Sequence, residues 1–255
     1  RGQRRRGGRR RPGLMMGAPR AALEASFEQL CTALPATAGV AVALPDSGET
    51  CSLGPWSTGV AWSTVKVPLA IAALRSDPRH AAAWVTKAIT ESDNAAAEQL
   101  WSQLGDPLDA AQQVQAVIGT AGDECTRVES RRLRRGFTAF GQTPWRLDRQ
   151  ALFAAGLPGV ADASPVIDLM RQLTERHRWG LAAKGVAAKG GWGPGHDGDY
   201  LVRQFGIVPT GSGHLGVALA AQAASFQTGV KALNRIADWL LGGSAKLSAL
   251  TGGGG

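Results

Sequence analysis

Residues 61–68 read Ala61-Trp62-Ser63-Thr64-Val65-Lys66-Val67-Pro68, and Ser63 and Lys66 are the pair that matters. On a helix, side chains three positions apart share a face, so a hydroxyl and an amine at this spacing can meet. A serine hydroxyl is a weak nucleophile at neutral pH and needs a base beside it. A lysine buried among polar donors loses its proton and can serve as that base. Val65, Leu69, Ala72 and Ala73 fall on one face over 64–75, which predicts a helix with Ser63 placed to cap or open it. Pro68 lies in the first turn and a half, where a missing amide costs least. Taken alone, a Ser-x-x-Lys match arises on the order of once in a chain of this size, and Lys66 would then be a solvated helix charge.

Upstream of this stretch, Leu23, Phe27 and Leu30 recur at helical spacing over Ala21 to Leu34, and Pro35 ends the run. Gly39 to Leu44 is a short apolar run, Pro45-Asp46-Ser47-Gly48 is turn chemistry, and Glu49 to Leu53 follows, which together predict a hairpin. Downstream, residues 77–180 read as helix throughout, with loops at Gly105 to Pro107, Gly119 to Gly122, Gly141 to Pro144 and Gly156 to Ser164. The texture then changes. Leu181 to Gly191, Tyr200 to Val208 and Leu215 to Ala221 are apolar stretches between glycine-rich turns, and Phe226 to Leu241 is an amphipathic last helix. Gly211-Ser212-Gly213-His214-Leu215-Gly216 has the letters of a dinucleotide fingerprint but precedes a strand, so it reads as a hairpin turn.

The element order is helix, two strands, a helical block, three strands, helix. It predicts an α/β fold in which a five-stranded antiparallel sheet from both ends of the chain is flanked by helices, with an all-helical lobe inserted. The expected division is a tail over 1–20, an α/β lobe from 21–76 and 181–241, a helical lobe over 77–180, and a flexible end over 242–255. The cleft between two such lobes is a natural place for a site.

Two further motifs follow Ser63 in order. Ser92-Asp93-Asn94 opens a helical stretch after Ala88-Ile89-Thr90-Glu91, and Lys189-Gly190-Gly191-Trp192 ends a strand. Three motifs in this order and these contexts resemble the serine β-lactamase and penicillin-binding superfamily, in its class A β-lactamase-like branch. Trp62 to Pro68, Ile89 to Leu100, Arg178-Trp179-Gly180-Leu181 and Tyr200 to Val208 extend the resemblance over roughly residues 21–241.

The resemblance implies that Ser63 attacks a carbonyl, Lys66 accepts or relays its proton, and Ser92 shuttles a proton toward the leaving group. Asn94 would bond a substrate amide carbonyl and orient Lys66, while Asp93 braces the loop. Lys189 would set positive charge near a substrate carboxylate, and the amides of Ser63 and Trp192, beside Gly191, would form an oxyanion hole. Trp62 and Trp192 each flank a catalytic position and would line the pocket. No cofactor and no metal are implied. The substrate would be a small molecule or a peptidoglycan-like peptide: a β-lactam, a D-alanyl peptide or an ester.

Three departures bear on this expectation. Gly190 stands where the family usually has Ser or Thr, so no hydroxyl is offered to a carboxylate. Only 29 positions separate Ser63 from Ser92, shorter than is usual in class A, which predicts a more open cleft. The family's deacylating glutamate in a Glu-x-x-Leu-Asn context has no clear counterpart. Glu129 is the nearest candidate, and with Arg127, Arg131, Arg132, Arg134 and Arg135 around it the alternative is a surface ion pair. A non-catalytic protein of the same fold, binding a cell-wall peptide or a partner protein, is the rival reading.

Composition narrows the partners. The net charge of +8 looks like a nucleic-acid signal, yet eight of the 28 basic residues lie among the first 20 residues, and the remaining 20 balance 20 acidic ones. The folded body therefore has no bias toward a polyanion. The Arg/Gly-rich start reads as a disordered tail, with weak adhesion to anionic lipid or nucleic acid as the functional alternative. No apolar stretch is long enough for a membrane span or a secretory core; the resemblance to cell-wall-directed relatives implies an extracytoplasmic location. Cys31, Cys51 and Cys125 lack metal-ligand spacing, and the four histidines are scattered singly. Cys31 and Cys51 are either a disulfide or two buried thiols.

Overall fold

The computed structural model describes residues 18–45 and 47–242. Most of the Arg/Gly-rich tail and most of the glycine-rich end lie outside the described residues. The first helix nevertheless starts inside the expected tail: α1 is Ala18–Thr32, and Arg20 pairs with Glu24 one turn on.

A five-stranded antiparallel sheet is ordered β2-β1-β7-β6-β5, from β1 (Ala36–Ala43), β2 (Thr50–Leu53), β5 (Ala187–Pro194), β6 (Tyr200–Thr210) and β7 (Gly213–Ala223). Gly211 and Ser212 turn β6 into β7, whose last pair is Thr210 with Gly213. The sheet is buried on both sides, and its period-2 alternation sorts the two cores. Val40, Val42, Val217 and Leu219 face α1 and α8 (Phe226–Leu241). Ala41, Ala43, Ala218, Ala220 and Phe205 face α6 (Leu147–Gly156) and the helices between the strands. Those are α2 (Lys66–Ser76), α3 (Pro78–Thr90), α4 (Asn94–Gln103), α5 (Pro107–Thr120) and α7 (Ser164–Met170). Small side chains on the second face let α6 lie close: a Cβ at Gly216 would meet the Ala151 carbonyl.

Four expectations need correction. Ser63 does not cap α2, because it lies in a 3-10 turn, Trp62–Val65, that precedes the helix, and Val65 is the N-cap with no side-chain bond. The stretch 77–180 is not helical throughout: residues 123–139 hold no helix, since the buried Asp123 carboxylate gathers the Cys125 and Thr126 amides, the Thr126 hydroxyl and the Trp145 indole into a local loop. A second sheet, β3 (Thr58–Val60) with β4 (Pro144–Arg146), went unread because three-residue strands carry no alternation signal. Finally, β5 starts at Ala187 rather than near Leu181; Ala182–Lys184 is a 3-10 turn ended by Gly185 in the left-handed region, so Lys189 sits inside the strand.

Cys31, Cys51 and Cys125 are free thiols. Of the first two only Cys51 is buried, and burial raises both thiol pKa values. Among the described residues no helix is long and apolar enough to cross a membrane.

Candidate active site

The turn that carries Ser63 is held from below by a buried polar network. Thr64 Oγ1 donates to the Ala61 carbonyl at 2.6 Å, and Ala61 N–H donates to the Thr143 carbonyl at 2.8 Å. Gln150 Nε2 donates to Thr64 Oγ1 at 2.9 Å, and Gln150 Oε1 accepts from Arg203 Nη2 at 3.0 Å. Arg203, on β6, is fully buried and also donates to the carbonyls of Gly59, Val60 and Trp145. Its partners are neutral, and burial lowers its pKa to about 9. One guanidinium thus ties β3, β4 and α6 to the residues just before Ser63. Trp62 is in the left-handed region at φ +50°, as is Ser92 at φ +56°. Such backbone persists in non-glycine residues when its surroundings enforce it.

Two buried lysines converge on Ser92. Lys66 is the first residue of α2 and 1% exposed; its Nζ donates to the Ser92 carbonyl at 2.5 Å and to Asn94 Oδ1 at 2.7 Å. Burial lowers its pKa to about 7, against a smaller upward pull from Asp93 and Glu98. Lys189 is 2% exposed; its Nζ donates to Ser92 Oγ at 2.9 Å and to the Gly190 carbonyl at 3.0 Å. Burial, and then the nearby Lys66 charge, push its pKa well below the usual lysine range. Asp93 N-caps α4 by accepting from Ala96 N at 2.6 Å, which sets Asn94 at the helix start. The lysine hydrogen bonds go to Ser92, Asn94 and Gly190, not to the Ser63 hydroxyl.

β5 is an edge strand, and its free edge lies against the Ser63 turn. In an antiparallel edge strand alternate residues point both N–H and C=O off the sheet. The Gly190 carbonyl points that way, toward Lys189, so the Trp192 amide, two residues on, shares the direction. Glycine is required at the closest approach: a Cβ at Gly191 would lie 2.8 Å from Ser63 N, and one at Gly193 would lie 2.4 Å from the Trp62 ring. On the opposite face, a Cβ at Gly190 would lie 2.5 Å from the Trp179 ring. The Trp192 ring turns away from Ser63 to stack on His177 and Phe226.

A cleft of about 230 Å³ opens over Ser63, lined by Trp62, Ser63, Ser92, Asn94, Trp192 and Gly193 and by Phe137, Thr138, Pro194 and Tyr200. A second recess of about 400 Å³ lies across Ser92 and Trp192, walled by Arg176, His177 and Phe226. Burial and the charges of Lys189, Arg176 and Lys66 lower the His177 pKa to about 4, so the ring is neutral at physiological pH. The structure thus brings Ser63, Lys66, Ser92, Asn94, Lys189, Gly191, Trp192 and Trp62 together. Glu129 is not among the residues that line the cleft: its amide bonds Thr143 Oγ1, and its carboxylate turns to Arg131, whose hydrogen bonds lower its pKa. Sequence reasoning missed Arg203, Gln150, Phe137 and Thr138. The first two left a trace as polar residues inside apolar runs; the last two left none.

No family model matches this chain, and no curated protein matches it by sequence. Its fold, however, is found among solved structures. A class A β-lactamase from Bacteroides cellulosilyticus superposes with a TM-score of 0.70 at 14% identity, covering 91% of this chain and 100% of that one. A β-lactamase from Sphaerobacter thermophilus gives 0.64 at 19% identity, covering 86% and 97%. A point mutant of the class A β-lactamase of the last common ancestor of Gram-negative bacteria gives 0.62 at 18%, covering 85% and 97%. The chain has the fold of the class A β-lactamases.

Proposed function

We propose that the protein is a serine acyl-transfer hydrolase that forms an acyl-enzyme through Ser63 on a β-lactam, a D-alanyl peptide or an ester. The observation that carries this reading is the burial and hydrogen bonding of Lys66. A neutral amine has two N–H groups and one lone pair; the Ser92 carbonyl and Asn94 Oδ1 take both N–H groups, which leaves the lone pair as a base. A pKa of about 7 keeps a large neutral fraction at physiological pH.

Ser63 Oγ gives its proton to Lys66 Nζ as it bonds the substrate carbonyl carbon. The resulting oxyanion takes hydrogen bonds from the Ser63 and Trp192 amides. The bond to the leaving group then breaks while Ser92 Oγ delivers its proton there, and the proton that Lys66 took from Ser63 replaces it on Ser92. Lys189, donating to that oxygen, orients it at this end of the cleft. Water must finish the reaction by attacking the acyl carbon. Glu129, paired with Arg131 and more acidic than an ordinary glutamate, is a poor base for that step, so the acyl-enzyme is long-lived. A β-lactam or a D-alanyl peptide as substrate would support a location outside the cytoplasm.

One observation favours a second reading, a binding protein for a cell-wall peptide or a partner protein: neither lysine directs its hydrogen bonds to the Ser63 hydroxyl. Intact-mass spectrometry after exposure to β-lactams and to a fluorophosphonate separates the two. A mass adduct absent from Ser63→Ala is the expected result. Folded protein that gains no adduct from either probe leaves the binding reading.

A further inference from the structure

The segment that follows the arginines around Glu129 contributes a wall of the Ser63 cleft through Phe137 and Thr138. Arg134 Nη1 donates to the Pro194 carbonyl at the end of β5 at 2.8 Å, and the guanidinium lies 4.6 Å from the Phe137 ring centre and 5.7 Å from that of Trp62. Pro194, Phe137 and Trp62, the three residues that Arg134 touches, line the cleft. Arg131 and Arg132 are neutralised by Glu129 and Glu98. Arg134 is not: among the described residues its hydrogen bond goes to a carbonyl and its other contacts are aromatic faces, which leaves four of five N–H donors and the charge beside the lining residues it touches.

The direction of this charge matters. Lys189 and Pro194 are five residues apart on one strand, roughly 17 Å at an extended rise, and Ser63 and the Trp192 amide lie between them. Ser92 and Lys189 mark the end where the leaving group departs. The two substituents of an attacked carbonyl lie on opposite sides, so the Pro194 end receives the acyl side chain. At the Lys189 end the side-chain space of Gly190 is filled by Trp179, which removes one means of holding an anion there.

We infer that Arg134 is a specificity-determining residue of this cleft and that the preferred substrate carries an anionic group, such as a carboxylate, on its acyl side. The inference rests on the acylation proposed for Ser63. An aromatic stretch beside that anion would lie on Phe137 and Trp62, whose faces the guanidinium already orders. A guanidinium held on two rings and a carbonyl has lost its side-chain freedom before the ligand arrives, so less entropy is lost on binding.

The test uses benzylpenicillin and its α-carboxy analogue, which differ by one carboxylate on the acyl side. Their acylation rate constants are followed by intact mass, and their affinities for the non-acylating Ser63→Ala protein by tryptophan fluorescence. The expected result is a preference for the carboxylated compound of about tenfold or more, as a charge-assisted hydrogen bond supplies. That preference falls at least fivefold in Arg134→Gln, survives in part in Arg134→Lys, and is unchanged in Arg135→Gln, a control for overall charge. Equal reactivity and equal affinity of the two compounds in the unmodified protein, or a preference that Arg134→Gln leaves intact, overturns the inference. Acylation without preference sinks this inference alone, whereas preferential binding without acylation by any probe sinks the proposed chemistry and keeps Arg134.

Discussion

Lys66 and Lys189 hold opposite sides of one residue: the first donates to the Ser92 carbonyl and the second to the Ser92 hydroxyl. Burial strips both amines of hydration, and the Lys66 charge adds to the effect on Lys189, so both are displaced toward the neutral form. That arrangement costs stability and leaves free amines around a serine. It also makes pH the first handle on the protein.

Acylation of Ser63 rises with pH and levels off above about 7, the pKa of Lys66, because only the neutral amine accepts a proton. Lys66→Met lowers the acylation rate constant by roughly 10²–10⁴, the usual contribution of a positioned base. Stopped-flow or mass-resolved acylation between pH 5 and 9 measures both. A flat profile in the unmodified protein would remove Lys66 from the base role.

The same shift predicts how stability depends on pH. Lys66 titrates near 7 when folded and near 10.4 when unfolded. Between these values the unfolded chain binds more protons, so stability rises with pH across that window, and Lys189 adds a contribution of the same sign. The melting temperature should climb by roughly 2–4 °C per pH unit between 7 and 9. In Lys66→Met the climb is smaller. Scanning calorimetry at matched ionic strength is the measurement.

Arg203→Met leaves the Gly59, Val60 and Trp145 carbonyls and Gln150 Oε1 buried without their donor. We expect a loss of about 1–3 kcal/mol in urea unfolding, the scale of a buried acceptor left unsatisfied. Arg203→Lys, which keeps the charge but not the fork, loses less. A change within 0.5 kcal/mol would mean that the turn before Ser63 is held by packing alone.

Gly191→Ala puts a methyl against Ser63 N, the Ala61 carbonyl and Trp62 Cβ. The strand must move away from the turn, which separates the two amides of the oxyanion hole. Acylation should fall about a hundredfold, the scale set by a displacement near 1 Å, while circular dichroism still reports a folded protein. Acylation at the unmodified rate would show that these amides do not act together.

Gly190→Thr, which restores the residue usual in the resembling family, collides with the Trp179 ring. It should destabilise by about 1–3 kcal/mol, as overpacking does, without improving acylation by penicillins. Combined with Trp179→Leu, part of the loss is recovered, and a double-mutant cycle from urea unfolding quantifies the coupling.

Much of this site was legible because its parts are short and local. Ser63 and Lys66 lie three residues apart, Asp93 and Asn94 start a helix, and Lys189 and Gly191 sit on one strand, so local geometry alone fixes each group. The sheet was legible from apolar runs broken by turn chemistry, while β3 and β4 were too short to leave a pattern. Residues 123–139 were misread because charged residues there resemble a helix surface, whereas a buried carboxylate 22 positions from its indole partner, Asp123 with Trp145, sets the loop.

The sequence by itself determined the order of elements, the three motifs and the balanced charge of the body, because those depend on neighbours along the chain. Only the tertiary structure decided that Arg203 and Gln150 reach under Ser63, that Trp179 fills the space at Gly190, that Glu129 turns to Arg131, and that Arg134 crosses to Pro194. Each of those contacts joins side chains whose meeting depends on burial and on which face of a distant element is presented. A long arginine or tryptophan reads the same in sequence whether it ends in water or in the core, and packing makes that choice.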